Sequence, residues 1–120
     1  MRVVKVYQYD NCGTCKKALR FLANRSYAVD KIDISTKPPT KAELKTMLTC
    51  YGGNIRALFN TSGVLYQKLN LKEKVAFFSP EEAVDILSKN GKLIRRPFVL
   101  FEKEGLVGFD EEKWKKVFPA

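Results

Sequence analysis

Histidine is absent from the 120 residues, which removes the Ser-His-Asp and Cys-His mechanisms and every His-ligated metal site. Cysteine is scarce, and its count of three is odd, so the paired framework of a disulfide-stapled secreted fold is not expected. Nor can one pair of thiols and a third cysteine supply the four Cys/His ligands of a structural zinc. No apolar run approaches the ~20 residues that cross a bilayer. The opening MRVVKVYQYDN is too short and too alternating for a secretory leader, and Asp10 falls where its apolar core would be. The expectation is a soluble, cytoplasmic chain with no membrane contact and no metal, whose chemistry must come from thiols, carboxylates, lysines or arginines.

What remains is ordinary globular composition: 45% hydrophobic, 29% charged and 14 aromatic residues. The length suits a single domain over residues 1–120. Net charge is +9, and it is uneven. Residues 36–97 carry 11 basic and 5 acidic side chains, whereas residues 98–120 carry 4 and 5. Such a field steers acidic partners. No basic run exceeds two residues, however, and aromatic and basic positions do not interleave as in RNA-binding strands, so direct nucleic-acid binding is not expected.

RVVKVYQY at 2–9 reads as a buried strand, and Asn11 to Gly13 break it. Cys15, Ala18, Leu19 and Leu22 recur at helical spacing over 14–24, and YAVDKIDI at 27–34 reads as a second strand. Together they have the size of a βαβ unit. Thr40 and Glu43 have capping-box spacing ahead of a helix stopped by Gly52-Gly53. A short helical piece is expected at Ile55–Phe59, and Ser79-Pro80-Glu81-Glu82 opens another helix. FVLFE and LVGF form a hairpin, its turn placed at Lys103-Glu104-Gly105. Asp110 then caps a last helix with Trp114, Val117 and Phe118 inward. Residues 37–92 thus form a helical block between a βαβ start and a ββα finish.

The sharpest motif is Asn11-Cys12-Gly13-Thr14-Cys15. A Cys-x-x-Cys between strand and helix puts the first thiol on the free N–H groups of the helix start, where the dipole favours thiolate. A free thiol titrates near ~8.5, and this setting lowers it. Cys12 is then the attacking sulfur, and Cys15, one turn on, the resolving one. The competing reading is two buried structural cysteines. Cys50, at the end of the Thr40–Thr49 helix, reads as a small half-buried residue near a C-cap. Arg95-Arg96-Pro97 precedes the apolar strand, where proline suits an edge or a turn and can be cis. Arg96 either faces Cys12 as a fixed cation or projects into solvent as a plain basic residue.

VYQYDNCGTCKKALRFL, PPTKAEL, IRALFNTSG, YQKLNL and LIRRPFVL…LVGF follow one another in an order that resembles the arsenate reductase/Spx (ArsC-like) family. The resemblance implies an α/β, thioredoxin-like fold: a four-stranded mixed sheet flanked by helices, with the block at about 37–92 as a helical insertion. It makes Pro97 a cis-proline opposite the Cys12 loop and Arg96 an active-site arginine. Gly13 and Thr14, between the thiols, join Pro97 as expected substrate-binding positions. Arsenate reductases of this type place three arginines round the nucleophile; here Arg96 matches one, while Asn60 and Gly108 occupy the other two positions. Spx proteins, redox-sensing regulators that bind RNA polymerase, share the Cys-x-x-Cys and RRP segments but continue into a charged tail. The implied function is therefore a small thiol–disulfide oxidoreductase, glutaredoxin-like and monomeric, acting on a thiol or disulfide substrate. It would bind no cofactor and draw electrons from glutathione or a thioredoxin/glutaredoxin protein. The alternative is an Spx-like switch that docks on RNA polymerase.

Overall fold

Alternate residues of the first strand belong to two different cores, which is why that strand lies at the centre of the sheet. The computed structural model describes residues 3–119; Arg2, assigned above to the first strand, lies outside the described residues. In β1 (Val3–Gln8), Val4 and Val6 pack with Ala18, Phe21 and Leu22 of α1 (Gly13–Asn24) and with Trp114 and Phe118. Tyr7, on the other face, packs in a second core with Leu44 and Met47 of the helical block and with Phe98 of the neighbouring strand. A period of two thus sorts one strand between two helical layers.

β2 (Ala28–Asp33) runs parallel to β1, while β3 (Phe98–Phe101) and β4 (Glu104–Val107) continue the sheet antiparallel on its other side, giving the order β2-β1-β3-β4. This four-stranded mixed sheet, with helices on both faces, is the expected thioredoxin-like architecture. Between β2 and β3 come α2 (Lys41–Cys50), α3 (Val64–Lys68), α4 (Leu71–Lys74) and α5 (Pro80–Lys89), with 3-10 turns at Ile55–Leu58 and Gly91–Leu93. α6 (Glu111–Val117) closes the chain, capped by Asp110. Both Thr40–Glu43 and Ser79–Glu82 form full capping boxes. Among the described residues no helix is long and apolar enough to cross a membrane.

The hairpin departs from expectation. Its turn is Glu102-Lys103, with Glu102 at φ +55°, and Gly105 belongs to β4. A methyl group on Gly105 would lie 2.8 Å from Met47 Sδ, so this glycine serves the close approach of α2 rather than a turn.

Glu43 ties the inserted block to the sheet. Its carboxylate accepts from Lys5 Nζ (2.7 Å), the Tyr7 hydroxyl (2.7 Å) and the Thr40 amide (2.9 Å). Burial pushes its carboxyl upward, but the bonds from Lys5, Thr40 and Tyr7 outweigh that and hold it below the usual range. Burial, reinforced by the bond to Glu43, pushes the Tyr7 hydroxyl up to about 12. A depressed carboxyl contributes stability above its unfolded value of ~4.3 and loses it as pH falls through the folded value. Glu43→Ala should cost about 1–3 kcal/mol at neutral pH by leaving the Tyr7 hydroxyl unpaired. In urea melts the gap from the parent protein should narrow below about pH 4; a gap independent of pH would contradict the network.

Candidate active site

The chain turns from β1 into α1 through Tyr9-Asp10-Asn11, and Cys12 occupies the helix N-cap in extended conformation (φ −99°, ψ 108°). Its amide donates to the Tyr9 carbonyl (3.0 Å) and its carbonyl accepts from Lys16 N (3.1 Å). Cys12 Sγ accepts the backbone N–H of Cys15 at 3.2 Å. Sulfur thereby fills the place usually held by a serine or aspartate oxygen, against an N–H that the helix leaves unpaired. No acidic residue stands in the first turn to oppose a negative charge there.

Cys15 lies one turn below, fully buried. Burial pushes its thiol up to about 12, the hydrogen bond with Cys12 adds to the rise, and the Tyr9 amide and the Arg96 charge pull the other way. Both cysteines are free thiols. One is half-exposed and the other dry, which suits unequal roles.

Cys12 opens into a cavity of about 420 Å³ that it shares with Thr14, Asn60, Ser62, Arg95, Arg96 and the Gly108-Phe109 segment. Each part comes from a different piece of chain: the start of α1, the loop ahead of α3, the approach to β3 and the exit from β4. Among the described residues no carboxylate lines it. Arg96 is half-buried, with its guanidinium 5.3 Å above the centre of the Tyr9 ring, a cation–π geometry that fixes the fork beside the thiols.

Of the sequence-derived site residues, the fold brings Cys12, Thr14 and Arg96 to this cavity and sets Cys15 beneath Cys12. Gly13 and Pro97 do not line it: Gly13 is exposed as the first residue of α1, and Pro97 is buried. The Arg96–Pro97 peptide is cis, as the resemblance implies. The Pro97 carbonyl accepts from the Gly108 amide at 2.9 Å, joining the two chain segments that roof the site. Cys50 is exposed rather than half-buried, with Sγ 3.8 Å from the Lys103 carbonyl at the hairpin end of the sheet, away from the cavity.

Arg95 was not singled out by the sequence. Gly108 has φ +73°, and a methyl group there would meet Arg95 Nε at 2.7 Å and Cζ at 3.0 Å. The position that lacks an arginine of its own is therefore covered by the guanidinium of Arg95, and the cavity holds two such groups. Ser62 and Phe109 likewise stand within the IRALFNTSG and LVGF motifs, where nothing in the sequence assigned them a site role.

With this geometry in place, comparison with known proteins gives a consistent family. Residues 7–117 match the ArsC family. The uncharacterized protein YusI of Bacillus subtilis (strain 168) is 38% identical over 110 residues, spanning 92% of this chain and 93% of that one. The global transcriptional regulator Spx of Streptococcus agalactiae serotype V is 26% identical over 98% of this chain and 84% of its own length. A solved structure, that of a possible arsenate reductase from Streptococcus mutans UA159, superposes with a TM-score of 0.85 at 31% identity, covering 96% of this chain and 99% of that one. The chain belongs to the ArsC family.

Proposed function

We propose that the protein is a thiol–disulfide oxidoreductase in which Cys12 attacks and Cys15 resolves. The observation that carries this reading is the pairing of a half-exposed sulfur on a helix N–H with a dry thiol one turn beneath it, beside the Arg96 guanidinium. Cys12, as thiolate, attacks one sulfur of a substrate disulfide. A Cys12–substrate S–S bond forms as the substrate's own S–S bond breaks, and the second substrate sulfur departs as thiolate and takes a proton from water. In the mixed disulfide Cys12 carries no charge to oppose a thiolate at Cys15, and the Arg96 charge still favours one. Cys15 loses its proton to solvent, attacks Cys12 Sγ and expels the first substrate sulfur. The substrate has gained two electrons and the protein holds a Cys12–Cys15 disulfide. A dithiol protein, or two molecules of a thiol such as glutathione, restores it.

Arsenate reductases share this family's fold, yet the oxyanion site here differs: Asn60 stands where one arginine is expected, and Arg95 reaches the Gly108 position from another direction. Charge-assisted bonds contribute ~1.5–3 kcal/mol each, so a loss at Asn60 weighs heavily on a small dianion. The reduced protein should convert one equivalent of an uncharged disulfide, such as hydroxyethyl disulfide, per Cys12–Cys15 pair without added thiol. Arsenate should give no turnover above the Cys12→Ser background. Efficient arsenate turnover, or no reaction with the disulfide, would overturn this reading.

The likeness to Spx favours a second reading, in which the same thiol pair switches a docking surface for RNA polymerase. Capture of polymerase that differs between the oxidised and reduced protein would support it.

A further inference from the structure

Arg96, which borders the cavity that holds Cys12, also borders a second space. On the far side of that guanidinium a groove of about 500 Å³ runs along the start of α3, lined by Tyr9, Val64, Leu65, Lys68, Lys92 and Arg96. Asn60 and Arg96 border both spaces, so the groove adjoins the cavity of the reactive sulfur. Its chemistry is mixed in a particular way. Val64, at the head of α3, is 68% exposed although aliphatic, and Leu65 and the Tyr9 ring supply further apolar surface. Lys68 lies one helical turn beyond Val64, and Lys92 projects from the 3-10 turn Gly91–Leu93 that leads to Arg95 and Arg96. Among the described residues no carboxylate lines the groove, the cavity, or the neighbouring hollow that holds Arg56 and Arg95.

An apolar floor rimmed by lysines, with no carboxylate among the described residues that line it, fits an extended polypeptide with aliphatic and acidic residues beside its cysteine. We propose that this groove receives such an acidic segment, and that the disulfide reduced at Cys12 belongs to a polypeptide carrying it. The inference rests on the redox reading above and names its substrate class. The reaction is unchanged: Cys12 takes the peptide sulfur, the partner sulfur leaves, Cys15 resolves, and a dithiol or paired thiols supply the two electrons.

The test uses the reduced 120-residue protein with Cys50→Ser, which removes the exposed third thiol. Three cysteine peptides of equal length, acidic, uncharged and basic around a central leucine-flanked cysteine, are each activated as the 2-thiopyridyl disulfide. Cys12 attacks the peptide sulfur, and release of 2-thiopyridone is followed by stopped flow. The acidic peptide should react about tenfold faster than the uncharged one at low salt, the scale of two exposed charge pairs, and the gap should shrink with added salt. Lys68→Glu/Lys92→Glu should erase that preference and favour the basic peptide. Lys45→Glu/Lys103→Glu, an equal change of net charge at the hairpin end, should keep it. The rate with an uncharged reagent, hydroxyethyl 2-thiopyridyl disulfide, is each protein's own reference, and every peptide rate is read as a ratio to it. Equal rates for the three peptides alongside normal reaction with that reagent would overturn the groove and leave the redox reading intact. So would a preference reduced equally by both double variants, which would trace it to overall charge. No reaction with any disulfide would remove the redox reading and this inference with it.

Discussion

Cys12→Ser should reduce disulfide turnover to the uncatalysed rate while leaving the fold unchanged, and Cys15→Ala should stop the reaction after one step. The first half follows from the double duty of Cys12. As nucleophile it has no substitute, because a serine hydroxyl is scarcely ionised at neutral pH and forms no S–S bond. As N-cap of α1 it is readily replaced, because serine is among the preferred N-caps and its Oγ accepts from the same helix N–H groups. The unfolding midpoint should therefore move by no more than about 0.5 kcal/mol. A large loss of both activity and stability would mean that Cys12 is structural.

The second half follows from burial. Cys15 has no exposed surface, so it does not compete for an incoming disulfide, and only a sulfur already on Cys12 lies within its reach. In Cys15→Ala the mixed disulfide has nothing to resolve it when no free thiol is added. Alanine is preferred to serine here because a buried hydroxyl without a partner costs ~1–3 kcal/mol. With Cys50→Ser in the background, intact mass should show one substrate adduct, mapped to Cys12. Because burial, which does not depend on Cys12, pushes the Cys15 thiol up, resolution in the parent protein should quicken as pH rises through the alkaline range. An adduct on Cys15, or multiple turnovers by Cys15→Ala without thiol, would contradict the assignment.

The thiol pair was legible in the sequence because its position depends on local geometry: a strand, a break and a capped helix within a dozen residues fix where Cys12 and Cys15 sit. The caps at Thr40, Ser79 and Asp110 were legible for the same reason, each being settled within one helical turn. Arg95 was not. Adjacent residues of an extended segment ordinarily point to different sides, and that both arginines border the cavity depends on tertiary contacts such as the Arg95 amide bonding to the Leu58 carbonyl (2.8 Å), a pairing 37 residues apart. Its guanidinium rests on Gly108 only because the exit from β4 folds back to Pro97. The hairpin turn misled because glycine signals both turns and close approaches, and only the packing of Met47 on Gly105 separates the two. The block at 37–92 was recognised as helical, but Asn70, at φ +55°, divides the Tyr66–Leu71 stretch between α3 and α4.

Gly91→Ala should be the most destabilising single methyl addition, and Gly13→Ala should be close to neutral, although both replace the same residue by the same residue. A methyl group on Gly91 would overlap the Ile34 carbonyl oxygen and lie 2.8 Å from its carbonyl carbon. Those are backbone atoms, so no rotamer change relieves the clash. Neither backbone is free to retreat. The Ile34 amide donates to the Gln8 carbonyl (2.9 Å), extending the β1–β2 ladder, and its side chain is fully buried. Gly91 opens the 3-10 turn whose Leu93 carbonyl accepts from Asn60 (2.7 Å), just ahead of the Arg95 anchor on Leu58. Overpacking of this kind costs ~1–3 kcal/mol where side chains can yield and more where they cannot, so a loss of about 3 kcal/mol or complete unfolding is expected. At Gly13 nothing lies within 4 Å of the added carbon and the residue is already helical; the change should fall between zero and a gain of about 1 kcal/mol. Urea melts of the two variants at neutral pH separate these outcomes, read as a shift of midpoint at constant slope. An intermediate variant that folds with Gly91→Ala in place should also react more slowly through Cys12, because the strap carrying Arg95 and Arg96 begins at this glycine. A Gly91→Ala protein with the parent's midpoint and the parent's rate would show that the strap yields, and that Arg96 is not held in the cavity by the contact with Ile34.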